Sequence, residues 1–177
     1  MELAATADPL APGRYTRASF EPAVTFTLDE GWRGVQLLSG FFDVQQQVGT
    51  PQVIAVQFAQ VSAVFSGSGS EAVTDAEQAA QLMARNDDFE ILGTSAAQVG
   101  GLSGFAVELA NATDPHVSVL VVPPGPLGID PHRRLWVSLV DTPQGLVAVM
   151  VGGADENWDE ALATAEPVLE SVEFAIP

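Results

Sequence analysis

The sequence predicts an α+β domain, a mostly hairpin-connected antiparallel β-sheet with two helices packed on it. Three observations carry this expectation. Strand-like segments outnumber helical ones by about four to one. Most neighbouring strands are separated by short turns containing Gly, Pro or Asp, which join hairpins rather than crossovers. Only two stretches have helical spacing, so the strand–helix alternation of a doubly wound fold is missing. Both helices are expected on one face of the sheet.

Residues 1–12, small and rich in Ala and Pro, read as a flexible approach segment or linker, and residues 13–177 as one domain. The opening stretch has no basic n-region and no apolar h-region, so no secretory leader is read in it. A strand is expected over 14–19. Val24, Phe26 and Leu28 then alternate with Thr25 and Thr27, the period of a half-buried strand. Asp29-Glu30-Gly31 turns the chain towards Trp32, and short strands follow at 35–38 and at Phe41-Phe42. A clearer strand covers 53–61, with Ile54, Val56 and Phe58 on one side and Gln57 on the other.

Ser66-Gly67-Ser68-Gly69-Ser70 has the composition of a loop. Thr74 followed by Glu77 fits a capping box, and Ala76, Ala79, Ala80 and Met83 share a helical face, so a helix is expected over 75–86. A hairpin follows, with strands at 95–99 and 103–110 around Gly100-Gly101. Strands at 117–122 and 134–140 flank a long Pro- and Gly-rich loop. Pro143-Gln144-Gly145 turns into a strand over 146–151. A second helix starts near Asp155 or Asn157, with Trp158, Leu162, Ala165 and Leu169 on one face, and Pro167 is expected to kink it or end it early. Val172, Phe174 and Ile176 alternate as a closing strand.

Composition excludes several function classes. Apolar residues make up 47% of 177, enough for a core without disulfides or metals. The unbroken apolar runs are short, far below the roughly 20 residues of a membrane-spanning helix. Twenty-three acidic residues face six basic ones, all Arg, giving a net charge of −17. That charge repels phosphate backbones and anionic headgroups, so nucleic acid and anionic membrane are poor partners. Only 16% of residues are charged, which is low for a high-salt surface strategy. Without cysteine, disulfides, thiolate catalysis and Cys-based metal sites are ruled out.

Four motifs bear on chemistry. Gly67-Ser68-Gly69-Ser70-Glu71-Ala72 matches a dinucleotide-type G-x-G-x-x-A, but the helix is capped later, at Thr74, and Asp87 and Asp88 precede the next apolar segment instead of ending it; it reads as a loop. Asp-Pro-His occurs at 114–116 and again at 130–132. His and Asp are zinc ligands, yet each motif precedes its own strand, and in an antiparallel hairpin the two starts stand roughly 20 Å apart. They read as two surface turns, with a small anion site at His132, Arg133 and Arg134 as the alternative. Asp155, Glu156, Asp159 and Glu160 lack the Gly-punctuated loop of an EF-hand and suit a helix N-terminus. No Ser sits in G-x-S-x-G. Two apolar loops, Phe41-Phe42 and the one carrying Leu127 and Ile129, are left as candidates for a contact surface.

The stretches Gly13-Arg-Tyr-Thr, Phe20-Glu-Pro-Ala-Val-Thr-Phe-Thr-Leu-Asp-Glu-Gly-Trp32, Val99-Gly-Gly-Leu-Ser-Gly-Phe-Ala-Val-Glu-Leu109 and Pro167-Val-Leu-Glu-Ser-Val-Glu-Phe174 resemble small bacterial extracytoplasmic domains of uncharacterised function. The wider pattern is similar to the PsbP-like group, many members of which are secreted or lipid-anchored. The shared residues are turn glycines, core aromatics and a helix stop, so the resemblance implies a fold and a location and transfers no catalytic position. The expectation is therefore a non-enzymatic extracytoplasmic binding or interaction module, with no cofactor or metal. Its contacts would run through Phe41, Phe42, Leu127, Ile129, His132 and Arg133, and its partner would be a protein or a small apolar ligand. The rivals are a carboxylate-dependent hydrolase and a purely structural accessory domain.

Overall fold

A computed structural model describes residues 1–67, 69–111, 113 and 115–176. The chain opens with the hairpin β1 (Gly13–Arg17) and β2 (Val24–Leu28), followed by a meander of β3 (Arg33–Leu38), β4 (Phe41–Gln46) and β5 (Ile54–Gln60). A small hairpin, β6 (Ala63–Ser66) and β7 (Gly69–Ala72), leads into α1 (Ala76–Met83). Three further hairpins come next: β8 (Glu90–Val99) with β9 (Leu102–Asn111), β10 (Val117–Val122) with β11 (Gly125–Ile129), and β12 (Arg133–Thr142) with β13 (Gly145–Ala154). A 3₁₀ turn (Asp155–Asn157), α2 (Trp158–Glu170) and β14 (Glu173–Phe174) close the chain.

The strands make three sheets. Seven form the main one, in the order β3-β4-β5-β13-β12-β9-β8; β11-β10-β6-β7 form a second, and β1-β2-β14 a third. Every strand pair within them is antiparallel. The predicted α+β class with an antiparallel sheet is the one observed.

The two helices lie on opposite faces of the main sheet, not on one. Val147, Val149 and Val151 of β13 belong to one apolar cluster, together with Trp158, Ala161, Ala165 and Val168 of α2. Leu146, Ala148 and Met150, pointing the other way, belong to a second with Ala76, Ala79, Ala80 and Met83 of α1. Alternate residues of a strand face opposite sides, so a central strand buried on both reads as a continuous apolar run. The first cluster holds a stack of phenylalanines: Phe42 and Phe58 lie 4.5 Å apart, with Phe26 at 5.4 Å from Phe58 and Phe20 edge-on to Phe42 at 5.3 Å. α2 approaches β13 closely, since a Cβ at Gly153 would stand 2.7 Å from that of Ala161.

Other local expectations shift by small amounts. Asp75, not Thr74, caps α1, its carboxylate accepting from the N–H of Gln78 at 2.8 Å. Gln78 Oε1 accepts in turn from the Thr74 N–H at 3.1 Å, so the side chain that reaches back is one position later than Glu77 and meets the residue before the cap. α1 stops at Met83, and α2 runs through Pro167 to Glu170, with Ala161 and Val168 more deeply buried than Leu162 and Leu169. Ser66 pairs with Gly69 and Phe65 with Ser70, so strand pairing reaches into residues expected as a loop, and the Pro/Gly-rich stretch before His132 contains β11. β11 accepts Pro126 because it is an edge strand, where a missing N–H costs no ladder bond.

Residues 1–12 are docked. Leu3 is 2% exposed, and bridges join Glu2 to Thr16 and Ala5 to Gly34. The N–H of Thr6 donates to Gly34 O at 3.0 Å and that of Leu10 to Trp32 O at 2.7 Å. Leu3 and Leu10 are the apolar residues that repay this ordering.

Candidate functional site

The end of the main sheet where β12 begins collects the polar chemistry of the chain. β11 brings it together. Its register on β10 sets Val117 opposite Ile129, so His116, just before β10, stands beside Asp130, just after β11. His116 Nδ1 and Asp130 Oδ1 are 2.9 Å apart, both side chains more than half exposed. The expected 20 Å separation of the two Asp-Pro-His motifs is thus wrong. It treated 123–133 as a loop, whereas the extra strand folds the second motif back to the start of the first strand. Asp114 lies outside the described residues, as does Ser68 of the G-x-G-x-x-A segment.

Asn111, 1% exposed at the end of β9, organises these turns. Its Nδ2 donates to Pro115 O at 2.9 Å and to Ile129 O at 3.0 Å, while its Oδ1 accepts from the N–H of Thr113 at 2.9 Å and from its hydroxyl at 2.6 Å. A buried amide with all these bonds made is a fixed part of the scaffold. His132 follows with a left-handed backbone (φ 58°), its N–H on Asn111 O and its carbonyl taking the N–H of Asp155. The Asn-x-Thr-x-Pro segment is an Asx-type turn signal that sequence reasoning passed over.

Arg133 and Arg134 leave β12 on opposite faces and have different fates. Arg134 is bound by Asp155 and lies 3.5 Å from Glu108. The hydrogen bond that Arg134 donates to Asp155 is the main reason its pKa is raised. Arg133 makes no ion pair within 4.0 Å among the described residues. It donates to two carbonyls, Val53 O at 2.8 Å and Pro51 O at 3.3 Å. Burial lowers its pKa, and the charge of Asp130 opposes that shift. The guanidinium remains cationic, as guanidinium groups do in proteins.

Arg133 forms a wall common to two concavities. One, of about 470 Å³, is bounded by Pro51, Pro131, His132, Asp155 and Glu156. The other, of about 240 Å³, lies between the end of β11 and the main sheet. Its floor is made of small residues, Ala55 and Gly152, and its walls carry Gln45, Gln57 and Asp130. Beside it Asp43 is 1% exposed and accepts from the N–H of Gln36 and from Nε2 of Gln45, both at 2.6 Å. Burial raises the pKa of Asp43, and these two hydrogen bonds hold the rise back. Gln36 sits in the bulge of β3, between Gly34 and Leu37, so Asp43 supplies the acceptor that the bulged backbone lacks.

The six residues expected to make contacts do not form one surface. Phe41 (3% exposed), Phe42 (0%) and Ile129 (3%) are core residues. Phe42 joins the phenylalanine stack, and Phe41 and Ile129 belong to the opposite cluster, against which Leu127 also packs. Phe41 and Phe42 point to opposite faces of a sheet buried on both, so two adjacent aromatics both go inside. His132 and Arg133, by contrast, stand together at the concavities. In the acidic cluster, Asp155 takes Arg134 and Glu156 takes the Gln52 amide at 3.0 Å. No group of three metal-ligating side chains occurs among the described residues, and no helix among them is long and apolar enough to cross a membrane.

No protein-family model and no curated protein matches the chain. Solved structures do. Cyanobacterial PsbP (CyanoP) from Synechocystis sp. PCC 6803 superposes with a TM-score of 0.53 over 97% of this chain and 96% of its own, at 15% identity. LpqN of Mycobacterium tuberculosis, a protein involved in cell envelope biogenesis, gives 0.48 over 96% and 90%, at 10% identity. A Bacteroides thetaiotaomicron protein gives 0.47 over 85% of this chain and 44% of its own, at 9% identity. At such identities the likeness is one of architecture, and CyanoP matches end to end: the chain has the PsbP-like fold.

Proposed function

We propose that the domain is a non-enzymatic binding module working outside the cytoplasm, and that it takes a small polar ligand at the Arg133 end of the main sheet. The observation that carries this reading is Arg133 itself, a half-buried cation held by two backbone carbonyls between two concavities, in a chain of net charge −17. Its remaining N–H donors, the Gln57 amide and the Asp130 carboxylate offer donors and acceptors over a floor of Ala55 and Gly152. That combination suits a hydroxyl- or amide-bearing group better than the apolar ligand expected from the loops, whose apolar residues are spent on the core. A volume of 240 Å³ accepts one small ring or a terminal group, below the size of a drug-like pocket. The extracytoplasmic location draws support from the fold it shares with CyanoP and from the resemblance to secreted domains.

A thermal-shift panel of neutral sugars, amino acids, short peptides, carboxylates and apolar compounds tests this. A ligand binding with about 1 kcal/mol of stabilisation moves the melting point by about 2–4 °C. The shift is expected with a polar class and is lost in Arg133→Gln; equal shifts in the parent and this variant remove the Arg133 concavities from the case. The hydrolase reading keeps second place through the 2.9 Å contact of His116 with Asp130. Turnover of a chromogenic ester or glycoside that disappears in His116→Ala would move it to first.

A further inference from the structure

We infer that the ligand of the smaller Arg133 concavity is a small free α-amino acid, its carboxylate on Arg133 and its ammonium on Asp130. This rests on the reading of that concavity as a polar-ligand site and narrows it. Arg133 and Asp130 both line the space of about 240 Å³. They form no ion pair with each other among the described residues, yet Asp130 is near enough for its charge to act on the guanidinium. Two opposite charges that face one space without meeting leave room for a ligand that answers both.

The hydrogen bonds already made fix what each group has left to give. Arg133 uses one donor each of Nη1 and Nη2 on the Pro51 and Val53 carbonyls, so its other N–H groups are left for an acceptor. Asp130 shares Oδ1 with His116 and makes no bond through Oδ2 among the described residues. Gln45 donates Nε2 to the buried Asp43, so the free end of its amide is the carbonyl Oε1. The concavity therefore offers one group that only donates and two that only accept, with the Gln57 amide able to serve either way. A carboxylate only accepts and an ammonium only donates, so the two ends of an amino acid sort themselves between Arg133 and Asp130.

Other ligand classes answer less of the site. A lone anion meets Asp130 and a net charge of −17, and a lone cation meets Arg133. A hydroxyl or amide displaces water from both charges and offers only dipoles in return, whereas opposite charges make the stronger hydrogen bonds. No aromatic ring lines the space, among the described residues, for the face of a sugar to pack on. The floor of Ala55 and Gly152 limits the side chain to a few carbons. The larger concavity has no such free pair, since Asp155 and Glu156 there hold Arg134 and the Gln52 amide.

Isothermal titration calorimetry of the whole chain at neutral pH tests this with L-alanine, propionate, L-alaninamide and glucose. Alanine is expected to bind, and propionate and alaninamide, each lacking one charged end, at least about tenfold more weakly. Asp130→Asn changes a side chain that is 71% exposed and is expected to melt like the parent. It should lose about tenfold in alanine affinity while propionate is not weakened, and Arg133→Gln should lose alanine altogether. Propionate bound as tightly as alanine, or alanine binding unchanged in Asp130→Asn, overturns the inference. Glucose bound in place of alanine, and lost in Arg133→Gln, overturns it and leaves the polar-ligand reading standing. No heat from alanine also overturns it, and the thermal-shift panel with Arg133→Gln then decides the wider reading.

Discussion

At one edge of the seven-stranded sheet, β3 carries Arg33, a bulge anchored by Asp43, and a strap of N-terminal chain fixed at Gly34. At the other, β8 carries one charge in ten residues and has no strand beyond it among the described residues. A Cβ on Gly34 would stand 2.4 Å from Ala4 O, so the strap lies almost on the strand it covers. The protein therefore spends residues on closing β3 and none on closing β8. An edge closed at a cost in packing is part of the fold, whereas one left open with uncharged small residues is available for something else.

The largest test of that contrast removes the anchor of the strap. Leu3→Ala is expected to destabilise the protein by about 2–5 kcal/mol, the cost of emptying a buried leucine site, read by urea denaturation. A loss below about 0.5 kcal/mol, typical of a surface change, would make the strap a bystander and the two edges alike.

A smaller effect concerns the bulge. Burial raises the Asp43 pKa above its ordinary value of 3.8, so the native state binds this proton more tightly than the unfolded chain does. Its contribution is fully present below 3.8 and is lost as pH rises through the raised native value. Asp43→Asn keeps an acceptor for the Gln36 N–H and removes the titration. Relative to the parent, the variant is expected to gain stability with rising pH across that window. Denaturation curves at a series of pH values check this, and a difference that stays flat with pH contradicts it. At β8 the expected effect on stability is smallest: Ser95→Lys, on the exposed stretch of the open edge, stays within about 0.5 kcal/mol of the parent.

Much of the fold was legible where residues alternate, as in Val24, Phe26 and Leu28, or repeat at helical spacing, as in Ala76, Ala79, Ala80 and Met83. β11 was not legible, because Gly-Pro-Leu-Gly-Ile has the composition of a loop, and only an edge position makes it tolerable as a strand. That single omission displaced the second Asp-Pro-His motif and hid the His116–Asp130 contact. The opposite placement of the helices was written in the apolar run at 146–151, which has no polar side to offer solvent. In the candidate site, His132 and Arg133 were within reach of a local reading because they adjoin in sequence. Gln45, Gln57 and Ala55 were not, since strand pairing brings them to Arg133 from about eighty positions away.

β13 has one further consequence. Its alternate side chains belong to two interiors that share no other strand so fully: valines at 147, 149 and 151 to one, Leu146, Ala148 and Met150 to the other. A wall common to two rooms ties their collapse together, because loosening either side releases the strand that supports the other. Two apolar clusters that would melt separately if each had its own sheet are thereby coupled into one cooperative unit, and heating is expected to give one absorption peak with matching calorimetric and van't Hoff enthalpies.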